Sequence, residues 1–107
     1  MSKKIILLAG PTASGKSNLA IHLAKKLNGE IINANSMQVY KEFLILSSRP
    51  NKKEEQKVRH HLYGFISVKE YFSAGDWLNL AKIKINNCFK KNKLPIIVGG
   101  TGLYFNT

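Results

Sequence analysis

Cysteine is almost absent from this 107-residue chain. Cys88 stands alone, so no internal disulfide can form, and the composition fits a reducing compartment. Acidic residues are also scarce: 6 Asp and Glu face 17 Lys and Arg, a formal net charge of +11. No apolar run approaches the ~18 residues needed to cross a bilayer. Ile5 to Ala9 is too short for a signal-peptide core and runs into a glycine loop rather than a cleavage site, so a cytoplasmic address follows. Repeats and low-complexity tracts are missing as well. What remains is 44% hydrophobic, enough for the core of one small domain. The positive charge suits a polyanionic partner such as RNA. A Lys- and Asn-rich proteome would produce the same excess, so charge alone does not decide.

Lys3 and Lys4 lead into Ile5-Ile6-Leu7-Leu8-Ala9, a continuous apolar run that fits a strand buried on both faces. Gly10-Pro11-Thr12-Ala13-Ser14-Gly15 cannot continue a strand and predicts a tight turn. From Lys16, apolar residues recur at Leu19, Ala20, Leu23, Ala24 and Leu27, one face of a helix that Asn28-Gly29 closes. Glu30 to Ala34 is a second strand, and the strand–helix–strand unit implies parallel pairing. Tyr40 to Ser48 is irregular, Pro50 to Arg59 reads as a short surface helix, and Leu62 to Ile66 as a further strand. Ser73 and Asp76 have the spacing of a capping box. The helix behind them buries Trp77, Leu80, Ala81, Ile85 and Cys88 or Phe89, with Lys82, Lys84, Lys90 and Lys91 facing water or an anion. Leu94 to Val98 is a third buried strand, its proline tolerated near the start. A Gly-rich turn and the start of another helix follow, so the expectation is a chain truncated within its domain.

Gly10-x-x-x-x-Gly15-Lys16-Ser17 satisfies the P-loop pattern and sits between a strand and a helix, where the mechanism needs it. Glycines let backbone N–H groups converge on phosphate oxygens, and the helix N-terminus adds partial positive charge. Lys16 neutralises terminal phosphate oxygens, and the Ser17 hydroxyl can hold Mg²⁺. Nucleotide hydrolases of this class place an Asp at the end of another buried strand. Here Glu30, Glu42, Glu54, Glu55, Glu70 and Asp76 all fall elsewhere. The strands end instead in Asn33-Ala34-Asn35-Ser36 and Gly99-Gly100-Thr101, so amide and hydroxyl groups are expected to line the site. That favours a transferase holding a leaving phosphate over a motor or GTPase.

Three motifs in register then carry a resemblance. Gly10 to Ser17 (GPTASGKS), Asn35 to Tyr40 (NSMQVY) and Leu94 to Tyr104 (LPIIVGGTGLY) are similar to the tRNA dimethylallyltransferase family. His60 to Phe65 and Tyr71 to Gly75 match in order and spacing, whereas Phe43 to Pro50 matches only a subset. The resemblance covers nearly the whole chain but only the N-terminal part of the family's sequence. It implies an α/β P-loop NTPase-like fold, a parallel sheet flanked by helices, with residues 1–107 the first part of a single transferase domain. It further implies transfer of a dimethylallyl group from dimethylallyl diphosphate to the exocyclic amine of the adenosine 3′ of a tRNA anticodon, with that base extruded from the anticodon-loop stack. The partners would be the tRNA anticodon loop, dimethylallyl diphosphate and Mg²⁺, with no membrane, and the protein a monomer. By position, Gly10, Pro11, Thr12, Ala13, Ser14, Gly15, Lys16 and Ser17 would bind diphosphate or nucleotide. Asn35, Ser36, Met37 and Gln38 would contact the target nucleotide. Thr101 would sit between the leaving oxygen and the tRNA.

One position departs from the pattern. The family's motif carries Asp as the expected general base, and this chain has Asn35 there. An amide can hydrogen-bond an adenine edge but cannot accept a proton. Loss of a positioned general base costs on the order of 10²–10⁴ in rate. The alternatives are a small-molecule P-loop kinase, an adenylate isopentenyltransferase, or an inactive phosphate- or tRNA-binding fragment. A kinase would need an acid near Ser17. Adjacent His60 and His61 point in different directions, which argues against a shared metal and for a solvated or tRNA-facing pair. Cys88 and Trp77 read as core, His22 as surface, and Tyr63, Tyr71 and Phe72 as either stacking or packing groups.

Overall fold

Apolar runs of four to six residues with helices between them can bury both faces of a parallel sheet, and that is the arrangement here. The computed structural model describes residues 4–9, 16–34, 39–40, 58–67 and 69–99, with backbone alone at 16 and 17. In chain order the elements are β1 (Ile6–Ala9), α1 (Lys16–Leu27), β2 (Gly29–Asn33), β3 (His60–His61), α2 (Ala74–Lys90) and β4 (Leu94–Gly99). The sheet order is β1-β4-β2-β3, every pairing parallel. β1 and β2 are thus parallel, as the strand–helix–strand unit implies, but they do not pair; β4 lies between them.

Strand alternation divides the core into two layers. Ile31, Ile96 and Val98 face α1 with Ala20 and Ala24, while Ile32 and Ile97 face α2 with Trp77 and Ala81. Fully burying each large aliphatic contributes roughly 1.5–3 kcal/mol. Ile31, Ile32 and Ile96 all lie on the central β2–β4 pair, so stability is concentrated there. β1 corrects the reading of a strand buried on both faces. Its Ile6 and Leu8 lean on the α1 layer, but Leu7 is 59% exposed. The reason is positional: among the described residues β1 is an edge strand, and α2 covers β2 and β4 instead.

α1 buries Ala20 and Ala24, while Leu19 and Leu27 flank the contact and stay half exposed. The left-handed residue closing it is Asn28 (φ 57°), not the glycine. Gly29 is needed for close approach: a Cβ there would lie 2.7 Å from the Leu94 carbonyl oxygen. α2 starts with the expected capping box, Ser73 N–H to Asp76 Oδ2 at 2.9 Å and Asp76 N–H to Ser73 Oγ at 3.0 Å. The expected strand over Leu62 to Ile66 is absent. Leu62 (φ 67°) and Gly64 (φ 57°) turn the chain, the strand is the two histidines before them, and only Ile66 makes an isolated bridge, to Tyr40. Residues 41–57, including most of the expected Pro50 to Arg59 helix, lie outside the described residues.

Glu30 is buried at the start of β2, opposite the strand ends where an acid would serve Mg²⁺. His61 Nε2 lies 2.7 Å from one carboxylate oxygen and Lys91 Nζ 2.9 Å from the other, joining β2, β3 and the end of α2. The histidine pair is therefore not simply solvated: His61 is internal, and His60 bonds the Val58 carbonyl and packs edge-on against Tyr63. Burial would raise the Glu30 pKa, but hydrogen bonds from His61 and Lys91, with the Lys91 charge, hold it below its ordinary 4.5. For His61 burial wins over Glu30 and lowers it below 6.5, with Lys84 and Arg59 pushing the same way. A neutral imidazole donating Nε2–H to a carboxylate satisfies both directions.

Both groups make acid destabilising, because the unfolded state binds the protons more tightly. The His61 contribution is complete above pH 6.5 and is lost below it; the Glu30 contribution is complete above 4.5 and is lost as pH falls through its folded value. Urea midpoints should therefore fall steadily from pH 7 to 4, and Glu30→Gln should flatten the part of that decline below 4.5. A midpoint that rises on acidification would contradict the cluster.

Candidate functional site

Parallel strands all deliver their chain to the same edge of the sheet, and here the motifs follow three neighbouring strands. β1 ends at Ala9, beside Gly99 of β4, while Asn33 of β2 lies beside Val98. The P-loop follows β1, the Gly-Gly-Thr turn follows β4, and the Asn-Ser-Met-Gln segment follows β2. Adjacent strands are spaced by roughly 4.8 Å, so the three segments depart within about 10 Å of one another. α1 runs back against the strands, so its first turn, opened by Lys16 and Ser17, lies at this edge with its unpaired N–H groups and positive dipole end. No acid occupies that turn. The positive end of that dipole favours negative charge at this edge.

Gly10, Pro11, Thr12, Ala13, Ser14 and Gly15 lie outside the described residues, as do Asn35, Ser36, Met37, Gln38 and Thr101. Lys16 and Ser17 are placed by backbone as the opening residues of α1. What the structure supplies is the frame on either side of the first two segments and the strand that leads into the third. Ala34 N–H donates to Val98 O at 2.8 Å, carrying the β2–β4 ladder one residue past the strand. On the far side of the Asn35–Gln38 segment, Val39 is fully buried and its carbonyl accepts from Phe65 N–H (2.9 Å) and Ile66 N–H (3.2 Å).

Asn33 was expected among the amides lining the site, and the structure places it elsewhere. It is buried, its Nδ2 donates to the Leu62 carbonyl at 2.9 Å, and its own carbonyl accepts from the Trp77 indole N–H. A polar residue closing an apolar strand was the sequence signal, because burial there demands partners. Trp77 is core, as expected; its indole bond was not legible. Among the aromatics, Phe72 packs edge-on against Phe65, and Tyr71 stands 88% exposed. A basic cleft of about 330 Å³, lined in part by Lys25, Asn28, Arg59 and Lys93, opens at the opposite end of the sheet and does not belong to this edge.

Cys88 is no nucleophile. It is fully buried in α2, its thiol 3.7 Å from Glu30, and burial together with that carboxylate pushes its pKa up to about 11. A thiol-specific chromogenic reagent should therefore leave the native protein unlabelled at pH 8 and modify one thiol per chain in denaturant. Fast native labelling would show the site open.

Comparison with known proteins agrees with this arrangement. A family model described as IPP transferase matches residues 38–107. The tRNA dimethylallyltransferase of Pelagibacter ubique is 62% identical over 104 residues, 97% of this chain and 33% of that protein. That of Parvibaculum lavamentivorans is 53% identical over 102 residues, 95% and 32% of the two chains. Among solved structures, the tRNA isopentenylpyrophosphate transferase of Bacillus halodurans superposes with a TM-score of 0.90 at 41% identity, over 98% of this chain and 35% of that one. A eukaryotic dimethylallyltransferase, described as acting on tRNA, gives 0.90 at 38% identity, over 97% and 26%. The chain spans about a third of the length of these relatives.

Proposed function

This chain belongs to the IPP transferase family, and from that premise we propose that it supplies the diphosphate-binding and adenosine-contacting part of a tRNA dimethylallyltransferase. The observation that carries the reading is the departure of three motif-bearing segments from adjacent strand ends, at the edge that the α1 N-terminus faces. In this reading the protein is a cytoplasmic monomer; among the described residues no helix is long and apolar enough to cross a membrane.

The P-loop backbone from Gly10 to Gly15 and the Lys16 ammonium bind the diphosphate of dimethylallyl diphosphate. The allylic C–O bond breaks, a bond forms between that carbon and the exocyclic nitrogen of the extruded adenine, and the nitrogen loses a proton to water, because the Asn35 amide cannot accept it. Lys16 and the helix dipole stabilise the charge gathering on the departing diphosphate. Thr101 lies between the leaving oxygen and the tRNA, and Asn35, Ser36, Met37 and Gln38 hold the nucleotide. Mg²⁺ fits this donor set: among the described residues Glu30 lies at the far end of the sheet and Asp76 is tied into its cap, and the Ser17 hydroxyl with substrate oxygens is a combination that Mg²⁺ accepts with retained waters. When bound through Ser17, the ion supplies further neutralisation of the leaving group. The lack of an acid in the first turn of α1 also disfavours the kinase alternative. Binding is tested by calorimetric titration with pyrophosphate and Mg²⁺, and transfer by mass-spectrometric detection of prenylated adenosine in an anticodon stem-loop.

Lys16→Ala should weaken pyrophosphate binding by about tenfold or more, since it removes a charge-assisted donor from anionic oxygens. Unchanged affinity in that titration would remove Lys16 from the site.

Asn35 decides between an active and a binding-only protein. Restoring the acid with Asn35→Asp, in a chain of the relatives' full length, should raise the single-turnover rate about 100-fold while RNA affinity stays nearly constant, because a general base acts in the transition state. The rate should rise with pH as the new carboxylate ionises. Equal rates for the two forms would mean that attack on a cation-like carbon needs no base at this position.

A further inference from the structure

Charge is sorted along the axis of the sheet. α1 and α2 both run against the strands, so both end at the edge where β2 and β4 begin. Lys25 and Lys26 stand in the last turn of α1 and Lys90 in that of α2. Lys91 and Lys93 follow in the turn into β4, and Arg59 precedes β3, its carbonyl accepting from Ile31 N–H of β2 at 2.9 Å. Glu30 is the one acid at this edge among the described residues; Glu70 and Asp76 lie before and within the first turn of α2, at the other edge. Cations at a helix C-terminus offset its macrodipole, which accounts for part of the excess. It does not account for the whole. Six cations face one carboxylate and two helix ends of roughly half a negative charge each, so about four positive charges remain.

These cations border a cleft of about 330 Å³, lined in part by Lys25, Asn28, Arg59 and Lys93. Lys93 Nζ donates to Asn28 Oδ1 at 2.6 Å, and Lys91 Nζ is held by Glu30 at 2.9 Å. Lys25 and Arg59 are exposed, and neither forms an ion pair among the described residues. An ammonium and a guanidinium free of carboxylates suit phosphate oxygens, the guanidinium by its planar fork. We propose that this cleft is a second RNA contact, which seats the phosphodiester backbone of the substrate at the end of the sheet remote from the P-loop. Anion binding stands on the charge and the geometry; the choice of RNA rests on the functional reading above. One free phosphate would occupy the cleft alone, whereas the cations continue past it to Lys26 and Lys90. A strip that crosses β4, β2 and β3 is roughly 10 Å wide and suits a polyanion with repeated charges. β2 is 5 residues long, about 17 Å, so the two edges can hold separate parts of one RNA. Backbone contacts of this kind fix orientation and add affinity without reading sequence.

Lys25→Gln and Arg59→Gln each remove one cation from the cleft, and Lys82→Gln removes one from the exposed face of α2. Binding of an anticodon stem-loop RNA is followed by fluorescence anisotropy from roughly 50 to 200 mM salt. Each cleft variant should weaken RNA binding about fivefold at the low end and flatten the slope of log K against log salt by about one. Lys82→Gln should change RNA affinity by less than about twofold, and pyrophosphate affinity should stay within about twofold in all three variants. With pyrophosphate saturating the P-loop, RNA should still shift the NMR signals of the Lys25 and Gly29 amides. Equal weakening by all three variants would reduce the effect to net charge and overturn the cleft, as would RNA binding that leaves Lys25 and Gly29 unmoved. Pyrophosphate alone moving those two amides as readily as RNA does, or polyglutamate binding as tightly as RNA, would overturn RNA as the occupant. RNA binding here without prenyl transfer would support the cleft and count against the functional reading.

Discussion

Parallel pairing of β4 with both β1 and β2 is the constraint on which the molecule depends, because it aligns strand ends that are far apart in sequence. Ala9 and Asn33 reach the same edge only because Gly99 and Val98 lie between them in register. The buried aliphatics of the β2–β4 pair hold that register: a slip of one residue would exchange Ile31 with Ile32, and Ile96 with Ile97, between the two helix layers. Gly29 permits the approach, since a side chain there would press on the Leu94 carbonyl.

Polarity is distributed unequally along that sheet. At the N-terminal end of β2 a buried carboxylate is held by an imidazole and an ammonium, so charge is consumed within the fold. At the C-terminal end the described frame carries amides, carbonyls and a helix N-terminus without an acid. Among the described residues the one buried acid, Glu30, stands near the opposite end of β2.

Side-chain hydrogen bonds tie the C-terminal end of β2 to its neighbours. The capping box orients Trp77, Trp77 holds the end of β2, and Asn33 holds the left-handed Leu62.

Much of this was legible locally. The P-loop spacing, the apolar runs, the helical stripe before Asn28 and the Ser73–Asp76 cap depend on near neighbours in sequence, and short-range sterics and hydrogen bonding settle such elements. The family resemblance likewise rests on contiguous motifs. Sequence could not say that β4 separates β1 from β2, that Leu7 lies at an uncovered edge, or that Leu62 to Ile66 turns instead of extending. Nor could it say that Glu30 meets His61 and Lys91, residues 31 and 61 positions away, or that Asn33 meets Trp77, 44 away. Those facts depend on which buried polar groups are left without ladder partners once the sheet has formed. That is a property of the assembled layers, where desolvation forces each such group to find a partner from whatever the packing has brought close.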